Sequence, residues 1–293
     1  MIIVKLNGGL GNQLFQYAAA RTLSILHQTE LKFDTTVFDE HKLRRYRLSP
    51  FLIQEAFATP EEIAKVLRVR RNWAARLASH LVEGLTPYYR RSLFAEAHLG
   101  PYDRNILKTP RDVYLDGYWQ SEKYFAACAD MLRKELTVRL DQDPQSREVA
   151  ARVLHTQSVS IHVRRADYVA DAATYHTHGT CSRDYYDQCV CLIAERVKDP
   201  HFFVFADDFA WARKNLQFKH PTTFVTHNGA ARDYEDLRLI STCKHHIIAN
   251  SSFSWWGAWL NNNPAKIVFA PLRWLNDPRY DTRDLLPESW IRV

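Results

Sequence analysis

Short apolar segments alternate with amphipathic stretches along almost the whole chain, and this alternation constrains the fold more than any other feature. The strand-like segments fall at 2–6, 31–33, 113–119, 159–163, 202–206, 223–225, 246–249 and 267–270. The helix-like segments fall at 12–26, 59–85, 121–136, 147–154, 182–198, 210–216, 234–243 and 255–260. Strands that alternate with helices form parallel sheets with helices on both faces, so the sequence predicts an α/β protein.

The polar segment 141–146 (DQDPQS) divides this alternation into two series. A chain of 293 residues is also longer than a single hydrophobic core usually serves. We therefore expect two domains, 1–144 and 145–293, which form two lobes with a cleft between them.

Composition narrows the class of protein. Apolar residues make up 46% of the chain and charged residues 25%, which is typical of a globular protein. No apolar stretch approaches the length of a membrane span, and the N-terminal MIIVKLNGG lacks the features of a signal peptide. The five cysteines form no CxxC pair, which favours reduced thiols over a zinc site and predicts a cytoplasmic protein.

The charge balance points to an anionic partner. The net charge is +6, and two basic runs at 41–47 and 68–76 are interleaved with apolar residues. Such runs form either a solvated face or a peripheral contact with the anionic lipids of the inner membrane. Nucleic-acid binding would leave the glycine and serine motifs described below unexplained, so no nucleic acid is expected.

A glycine-rich turn, GGLGNQ, lies between the first strand and the first helix. Glycines let the backbone pass close to a ligand, and the unpaired amides at a helix start attract phosphate or carboxylate. The spacing matches neither a dinucleotide-binding fingerprint nor a Walker loop. A tight turn needed for packing, with Asn12 as a helix cap, explains the motif equally well.

A second motif, HVRRAD, continues past the carboxyl end of the strand at 159–163, and this end faces ligands in parallel sheets. His162 and Arg164 share one face of the strand, and Arg165 points to the other. We expect Arg164 to bind a diphosphate through forked hydrogen bonds, and Arg165 to brace the loop through Asp167. A salt-bridged loop without a ligand is the alternative.

A third motif, ANSSFSWWGAW, leads from a strand through small polar residues into a helix. Ser251, Ser252 and Ser254, with the amides at the helix start, are expected to cradle an anion. A helix cap alone would explain one serine but not the run. Trp255 and Trp256 either pack in a core or line a sugar site, and core packing is favoured for at least one of them.

Two adjacent carboxylates, Asp207 and Asp208, follow a buried strand, as a metal-binding pair would. Asp208 serves equally well as the cap of the next helix. None of the 13 histidines stands in a metal-ligand spacing. We therefore predict a site that uses no metal.

Four blocks together resemble the bacterial α1,2-fucosyltransferases. They are GGLGNQLFQY at 8–17, DGYWQS at 116–121, HVRRADY at 162–168 and NSSFSWWG at 250–257. The match spans nearly the whole chain, and the blocks are specific in combination. The HxRRxD block is also similar to that of α1,6-fucosyltransferases and protein O-fucosyltransferases, which implies a shared site for GDP-fucose.

This resemblance implies the GT-B architecture, in which two Rossmann-like domains face each other. The C-terminal domain would bind GDP-fucose and the N-terminal domain the acceptor. The implied reaction is an inverting, metal-free transfer of L-fucose from GDP-β-L-fucose to the 2-hydroxyl of a terminal galactoside. The acceptor would be a cell-surface glycan such as O-antigen, free or lipid-linked. A GDP-sugar transferase of another linkage and a non-catalytic carbohydrate- or nucleotide-binding module are the alternatives, although motifs in both domains favour an enzyme.

The resemblance also implies roles for residues of the C-terminal domain. Arg164 matches the arginine that binds the β-phosphate, and His162 matches the histidine near the nucleoside. Asp236 stands where related enzymes bind the guanine edge, which a carboxylate suits because it accepts from both N1–H and N2–H. Ser251 and Ser252 would hold phosphate.

In the N-terminal domain, Gly9, Gly11 and Asn12 resemble the loop that closes on the donor, where Asn12 would act in catalysis. Protein O-fucosyltransferases carry an arginine in that loop. Gly9 or Leu10 stands in its place here, so the role of that arginine does not carry over.

The general base and the acceptor contacts are less specified. Asp171 lies near the position of the acidic residue of the α1,6 enzymes and is the candidate base, with Asp167 and His176 as alternatives. The candidate acceptor contacts, chosen because aromatic faces suit the C–H surface of sugars, are Tyr118, Trp119 and Gln120. A buried strand explains these three residues equally well.

Overall fold

The computed structural model describes residues 1–40, 44–68, 85–96 and 100–293, with Glu40 and Asp167 described by their backbones alone. The chain forms two compact units. The first comprises Met1–Leu136 with Arg283–Leu285, and the second comprises Thr137–Thr282 with Leu286–Val293. The chain thus enters the second unit a little before the polar segment 141–146, and a short late segment belongs to the first unit.

The first unit is built on a parallel sheet. Its strands are β1 (Ile2–Lys5), β2 (Leu31–Asp34), β3 (Leu93–Ala95) and β4 (Val113–Asp116), in the spatial order β2-β1-β4-β3. The chain adds β2 on one side of β1 and the later strands on the other. The order therefore reverses between β1 and β4, and ligands of open parallel sheets bind at the carboxyl ends of the strands beside such a switch point.

Helices cover the first sheet. Among the described residues of this unit, the α-helices are α1 (Leu10–Leu26), α2 (Val37–Glu40), α3 (Pro60–Val66) and α4 (Ala129–Glu135). The helix α1 is buried on nearly all sides, and Leu14, Phe15 and Ala18 are each at most 1% exposed. Burial of a side chain as large as Phe15 contributes about 2 kcal/mol to stability.

The second unit is built on a larger parallel sheet. Its strands are β5 (Gln157–Val163), β6 (Pro200–Ala206), β7 (Thr222–Phe224), β8 (His245–Ile247), β9 (Val268–Ala270) and β10 (Ile291–Arg292), in the order β10-β9-β8-β5-β6-β7. The chain adds β6 and β7 on one side of β5 and then β8 on the other. A second switch point therefore lies between β5 and β8.

The helices of the second unit pack on both faces of its sheet. In the described residues they are α5 (Pro144–His155), α6 (Ala166–Ala170), α7 (Ala172–His178), α8 (Arg183–Ala194), α9 (Phe209–Asn215), α10 (Asp233–Thr242) and α11 (Ser252–Leu260). On one face, Val159 and Ile161 pack in a core that includes residues of α8. On the other, Phe203 and Phe205 pack with Leu239 and residues of α5.

Most of the predicted elements are confirmed, and the differences have local causes. The predicted helix 121–136 begins instead with the 3₁₀ segments Glu122–Tyr124 and Ala126–Cys128. The strands β3 and β10 were missed: both residues of β10 are exposed, and β3 exposes two of its three residues. Residues 69–84 of the predicted helix 59–85, and residues 41–43 and 69–76 of the basic runs, lie outside the described residues. Within the described part of the chain, no helix is both long and apolar enough to cross a bilayer.

Candidate active site

Three loops leave neighbouring strands at the carboxyl edge of the second sheet. They follow β5, β6 and β8, which are adjacent in the sheet, and they carry the HVRRAD motif, the Asp207–Asp208 pair and the serine turn. The switch point lies between the first and the third of these loops. Two motifs that are far apart in the sequence are thereby brought to the position where this class of sheet binds ligands.

Arg164 extends from the end of β5 and pairs with a carboxylate. Its Nη1 lies 3.3 Å from Asp207 Oδ2, and its guanidinium carbon lies 5.4 Å from the ring centroid of Tyr168. The side chain remains 26% exposed. Asp207 and Tyr168 thus orient the guanidinium, and its exposed part can still reach an anion.

Arg165 braces the same loop. Its backbone amide donates to Asp207 Oδ1 at 2.8 Å, and its Nε lies 3.9 Å from Asp208 Oδ2. Its guanidinium lies 4.9 Å from the ring centroid of Trp211. The expected bracing role therefore uses the Asp207–Asp208 pair and Trp211, whereas the side chain of Asp167 lies outside the described residues.

The partners of Asp207 and Asp208 do not suit a metal-binding pair. Asp207 bonds to the two arginines, and Asp208 Oδ1 accepts from the amide of Trp211 at 2.9 Å and so caps α9. Both carboxylates already serve cations and amides of the chain. Among the described residues, no three His, Cys, Asp or Glu side chains are grouped to hold a metal ion.

His162 is buried on β5 and carries an unsatisfied nitrogen. Burial, and secondarily the charge of Arg164, lowers the pKa of His162 to about 3, so the ring is neutral at pH 7. Its Nδ1 has no hydrogen-bond partner in the described structure. A buried polar atom without a partner costs about 1–3 kcal/mol, which makes this nitrogen a candidate ligand contact.

The serine turn divides into a part at the helix start and a part in the core. Ser251 is the N-cap residue of α11 but its side chain makes no capping bond, and Ser252 begins the helix. Phe253 lies 5.4 Å from His162 between ring centroids, so the turn lies next to the end of β5. Ser254 is fully buried, and its Oγ donates to the carbonyl of Ser251 at 3.2 Å. The expectation that Ser254 joins an anion cradle is therefore wrong.

The two tryptophans after the turn are core residues. Trp255 and Trp256 are both 0% exposed, and their ring centroids lie 5.2 Å apart. The alternative in which they line a sugar site is wrong. Asn250 was not singled out from the sequence, but its Nδ2 donates to the carbonyls of His178 at 2.9 Å and Trp274 at 3.2 Å. These bonds anchor the start of the serine turn.

Asp236 lies on α10, which packs against α11. Burial raises the pKa of Asp236 to about 7, and a hydrogen bond from Asn228 opposes this shift. Asn228 Nδ2 donates to Asp236 Oδ1 at 2.7 Å, and Ser146 Oγ donates to Asn228 Oδ1 at 3.3 Å. The sequence did not predict that Asn228 and Ser146 support Asp236. In the sequence, Asn228 stands only in an Asn-Gly turn dipeptide, and Ser146 stands only near the start of a helix.

The glycine loop forms the first turn of α1 in the first unit. Gly8 has φ +75°, and the carbonyl of Gly9 accepts from the amide of Asn12 at 3.1 Å. Gly9 is the N-cap residue, so the alternative role of Asn12 as a helix cap is wrong. Asn12 Oδ1 instead accepts from Gln120 Nε2 at 3.0 Å, and Gly11 is buried in the first turn of α1.

The described part of the first basic run packs beside this loop. Gln13 Nε2 donates to the carbonyl of Arg45 at 2.8 Å, and its Oε1 accepts from the amide of Arg47 at 2.9 Å. Arg44 Nη1 lies 3.4 Å from the position that a Cβ on Gly9 would take. A guanidinium therefore lies at the glycine loop, although it comes from a run that the sequence assigned to solvent or a membrane.

The three acceptor candidates have different environments. Trp119 is 1% exposed and stacks on Phe94 with centroids 5.5 Å apart, so its expected role as a sugar-stacking surface is wrong for this structure. Tyr118 is 38% exposed and can present its ring to a ligand. Gln120 is partly buried and is bonded to Asn12.

The candidate base Asp171 acts here as a helix cap. Its Oδ2 accepts from the amide of Thr174 at 2.7 Å and from the hydroxyl at 2.6 Å. These bonds lower the pKa of Asp171, which makes it a weaker base. His176 is an exposed residue of α7. The geometry does not single out a general base.

The fold is similar to that of a solved structure. A structure of a mutant Arabidopsis thaliana FUT1 in complex with GDP aligns with 99% of this chain and 75% of that chain, with a TM-score of 0.51 and 13% identity. This likeness confirms the predicted fold class: an α/β protein of the GT-B type with Rossmann-like units.

Sequence comparisons identify the family. The model of glycosyl transferase family 11 matches residues 96–293. The chain is 32% identical over 298 residues to an α-1,2-colitosyltransferase of Escherichia coli. This alignment covers 100% of this chain and 99% of the relative. It is 30% identical over 302 residues to the O-antigen biosynthesis glycosyltransferase WbnK of Escherichia coli, with 98% and 99% covered. The chain therefore belongs to glycosyl transferase family 11, and it is a glycosyltransferase of the fucosyl- and colitosyltransferase class.

Proposed function

We propose that this protein transfers L-fucose from GDP-β-L-fucose to the 2-hydroxyl of a terminal galactoside, with inversion and without a metal. One observation carries the proposal. Arg164 is held by Asp207 at the carboxyl end of β5, beside the switch point that also brings His162 and the serine turn together. This is a site suited to a nucleoside diphosphate.

The chemical task of the site is to stabilise the leaving group. Positive charge develops on the sugar ring and negative charge on the departing GDP, so fixed donors aimed at the diphosphate lower the barrier. Arg164 supplies a forked pair of N–H donors, and the start of α11 supplies the positive end of its dipole together with the hydroxyl of Ser251, which makes no capping bond. These groups replace the divalent cation that other transferases use.

The nucleoside is recognised by the two buried titratable groups. The carboxylate of Asp236 accepts from guanine N1–H and N2–H once it has lost its proton. Its Oδ1 also accepts a hydrogen bond from Asn228. His162 offers its unpaired Nδ1 to the nucleoside. The acceptor hydroxyl attacks the anomeric carbon from the face opposite GDP, so a β-linked donor gives an α-linked product.

A second donor is favoured by a specific observation. The relative that is 32% identical over the whole chain is named as a colitosyltransferase, and colitose is the 3-deoxy analogue of fucose. The same nucleotide contacts would serve both donors, because the two sugars differ only at a ring carbon. The distinction therefore depends on whether the site provides a partner for the 3-hydroxyl.

The decisive experiment supplies the purified protein with GDP-fucose or GDP-colitose and a panel of galactosides. We expect one of the two donors to give an α1,2-linked product, identified by NMR, and we expect the rate to persist in EDTA. A product with another linkage would contradict the proposed acceptor position. A rate abolished by EDTA and restored by manganese would contradict the metal-free mechanism.

The proposal extends to the acceptor. The relative WbnK is named for O-antigen biosynthesis, so we propose a cell-surface glycan, assembled on a lipid carrier in the cytoplasm, as the acceptor. Peripheral contact with anionic lipids is part of this proposal. Flotation with vesicles that contain phosphatidylglycerol tests it, and binding that is no greater than to neutral vesicles would contradict it.

A further inference from the structure

The segment that follows β4, here called the 117–120 loop, is bonded to α1 at both of its ends. Gln16 Nε2 donates to the carbonyl of Gly117 at 3.1 Å. Gln120 Nε2 donates to Asn12 Oδ1 at 3.0 Å. Because α1 follows β1 and the loop follows β4, both bonds span the switch point of the first sheet. The loop thus fixes the helix turn that contains Asn12.

Trp119 gives this loop an uncommon backbone conformation. Its φ is +55°, in the left-handed region that bulky residues rarely adopt. Its ring is buried between Phe94, at a centroid distance of 5.5 Å, and Tyr124, at 5.6 Å. A backbone of this kind persists only where the surrounding contacts over-determine it, and such positions concentrate at functional sites.

Glu96 supplies the contacts that hold this conformation. A single carboxylate oxygen, Oε2, accepts from the amides of Tyr118 at 2.6 Å and Trp119 at 3.1 Å. The amide of Glu96 donates to the carbonyl of Asp116 at 2.8 Å, which places this residue directly beside the end of β4. A Cβ on Gly117 would lie 2.5 Å from Glu96 Cβ, so only glycine allows so close an approach.

We propose that Glu96 is a positioning residue for sugar transfer. Its carboxylate holds the 117–120 loop in the left-handed conformation, and the loop in turn fixes Asn12 and presents the 38% exposed Tyr118. This inference rests on the proposed function, because it assigns the loop a role in the transfer reaction. Glu96 itself acts through the backbone of the loop and contacts neither substrate.

The test compares Glu96→Ala with Glu96→Gln. Alanine removes the acceptor of both amides, and we expect kcat to fall about 30-fold because the loop would no longer fix Asn12 and Tyr118, and small displacements of positioning groups are costly. A glutamine Oε1 can accept from both amides, so Glu96→Gln should keep its kcat within about threefold of the wild type. The affinity for GDP, measured by calorimetry, should change less than about twofold in both variants, since the proposed nucleotide contacts lie in the second unit.

A matched control and a second variant separate positioning from general stability. Glu62 also accepts from a backbone amide in the first unit, that of Thr59 at 3.0 Å, and Glu62→Ala should leave kcat unchanged. Gln120→Ala removes the bond to Asn12 while Glu96 stays intact. We expect Gln120→Ala to lower kcat about tenfold. In the double variant with Glu96→Ala, kcat should fall by less than the product of the two single-variant factors, because both substitutions act on the same loop.

Each outcome decides the proposal. Equal loss in Glu96→Gln and Glu96→Ala would overturn it, because the charge rather than the loop geometry would then matter. Full activity in Glu96→Ala or Gln120→Ala would overturn it as well, and the latter variant remains decisive should the former not fold. Hydrogen exchange at the amides of Tyr118 and Trp119 should be faster in Glu96→Ala than in the wild type, and an unchanged rate would overturn the proposal. If Glu96→Ala does not fold, exchange at these amides in Glu96→Gln should equal that of the wild type, and faster exchange would overturn the proposal. Because exchange needs no turnover, a wild-type protein without transferase activity would contradict only the proposed function.

Discussion

The two switch points of this protein use their polar side chains in different ways. In the second unit, His162 keeps a buried nitrogen without a partner in the described structure, and Arg164 is held by Asp207 while 26% of it stays exposed. In the first unit, Asn12 bonds to Gln120 and the Trp119 ring packs between Phe94 and Tyr124, although Trp119 Nε1 also lacks a partner in the described structure. The difference lies in the charge: the second unit holds a partly exposed guanidinium at the strand end, whereas the contacts of the first unit fix the 117–120 loop on α1.

The largest effect should come from the charge at the second switch point. Arg164→Ala removes the forked donors for the diphosphate, and we expect kcat to fall about 100- to 1,000-fold, as for the loss of other transition-state donors. Circular dichroism should show a folded protein. The surface residue Arg183, which pairs with Asp187 on one helix, provides the matched control, and Arg183→Ala should retain activity. A rate for Arg164→Ala near that of the wild type would show that the charge at the second switch point does not contribute to the reaction.

The next effect concerns the buried carboxylate. Since burial raises the pKa of Asp236 to about 7, its proton must leave before it can accept from guanine. Calorimetric affinity for GDP should therefore rise with pH up to about 7 and then level off. Asp236→Asn should weaken GDP binding about tenfold or more and remove this pH dependence. Asp184→Asn, in the first turn of α8, is the control, and an equal loss there would argue against specific recognition.

In the first unit, a substitution at Gly8 tests whether the conformation of the glycine loop matters for activity. Gly8→Ala places a side chain at φ +75° with its Cβ 2.6 Å from Asn12 Nδ2. We expect the free energy of unfolding to fall by about 1–2 kcal/mol and kcat to fall with it. Gly229 has φ +65° and open space around its Cβ position, so Gly229→Ala isolates the backbone cost. Urea unfolding and initial rates measure both, and equal rates in the two variants would show that displacement of Asn12 is harmless.

The last effect, confined to acid pH, is a pH dependence of stability. His162 is neutral when folded, with its pKa lowered to about 3, and regains a pKa near 6.5 when unfolded. Its contribution to stability is complete above about pH 6.5 and is lost as the pH falls towards 3, by up to about 1.4 kcal/mol per pH unit. His162→Gln should flatten the decline of unfolding free energy between pH 6.5 and 5. Parallel declines in both proteins would contradict a buried neutral histidine.

Much of the fold could be predicted because its signals are local. The apolar run of β5 and the helix after the glycines are visible within a few residues, and the position of Arg164 at a strand end follows from that run. The burial of Trp119 and the exposure of Tyr118 could not be predicted in this way. A period of two predicts alternating faces along a strand, but β4 ends at Asp116, and the left-handed turn at Trp119 decides which ring is buried.

The sequence by itself determined the alternation of strands and helices, the presence of cationic and small polar residues at strand ends, and the resemblance that names the family. Only the tertiary structure decided which side chains serve the site. Asp207 orients Arg164, Asn228 holds Asp236 and Glu96 holds the 117–120 loop through contacts between distant positions of the chain. The physical reason is that hydrogen bonds and ion pairs depend on distances of a few ångströms, and those distances exist only after the strands have taken their order in each sheet.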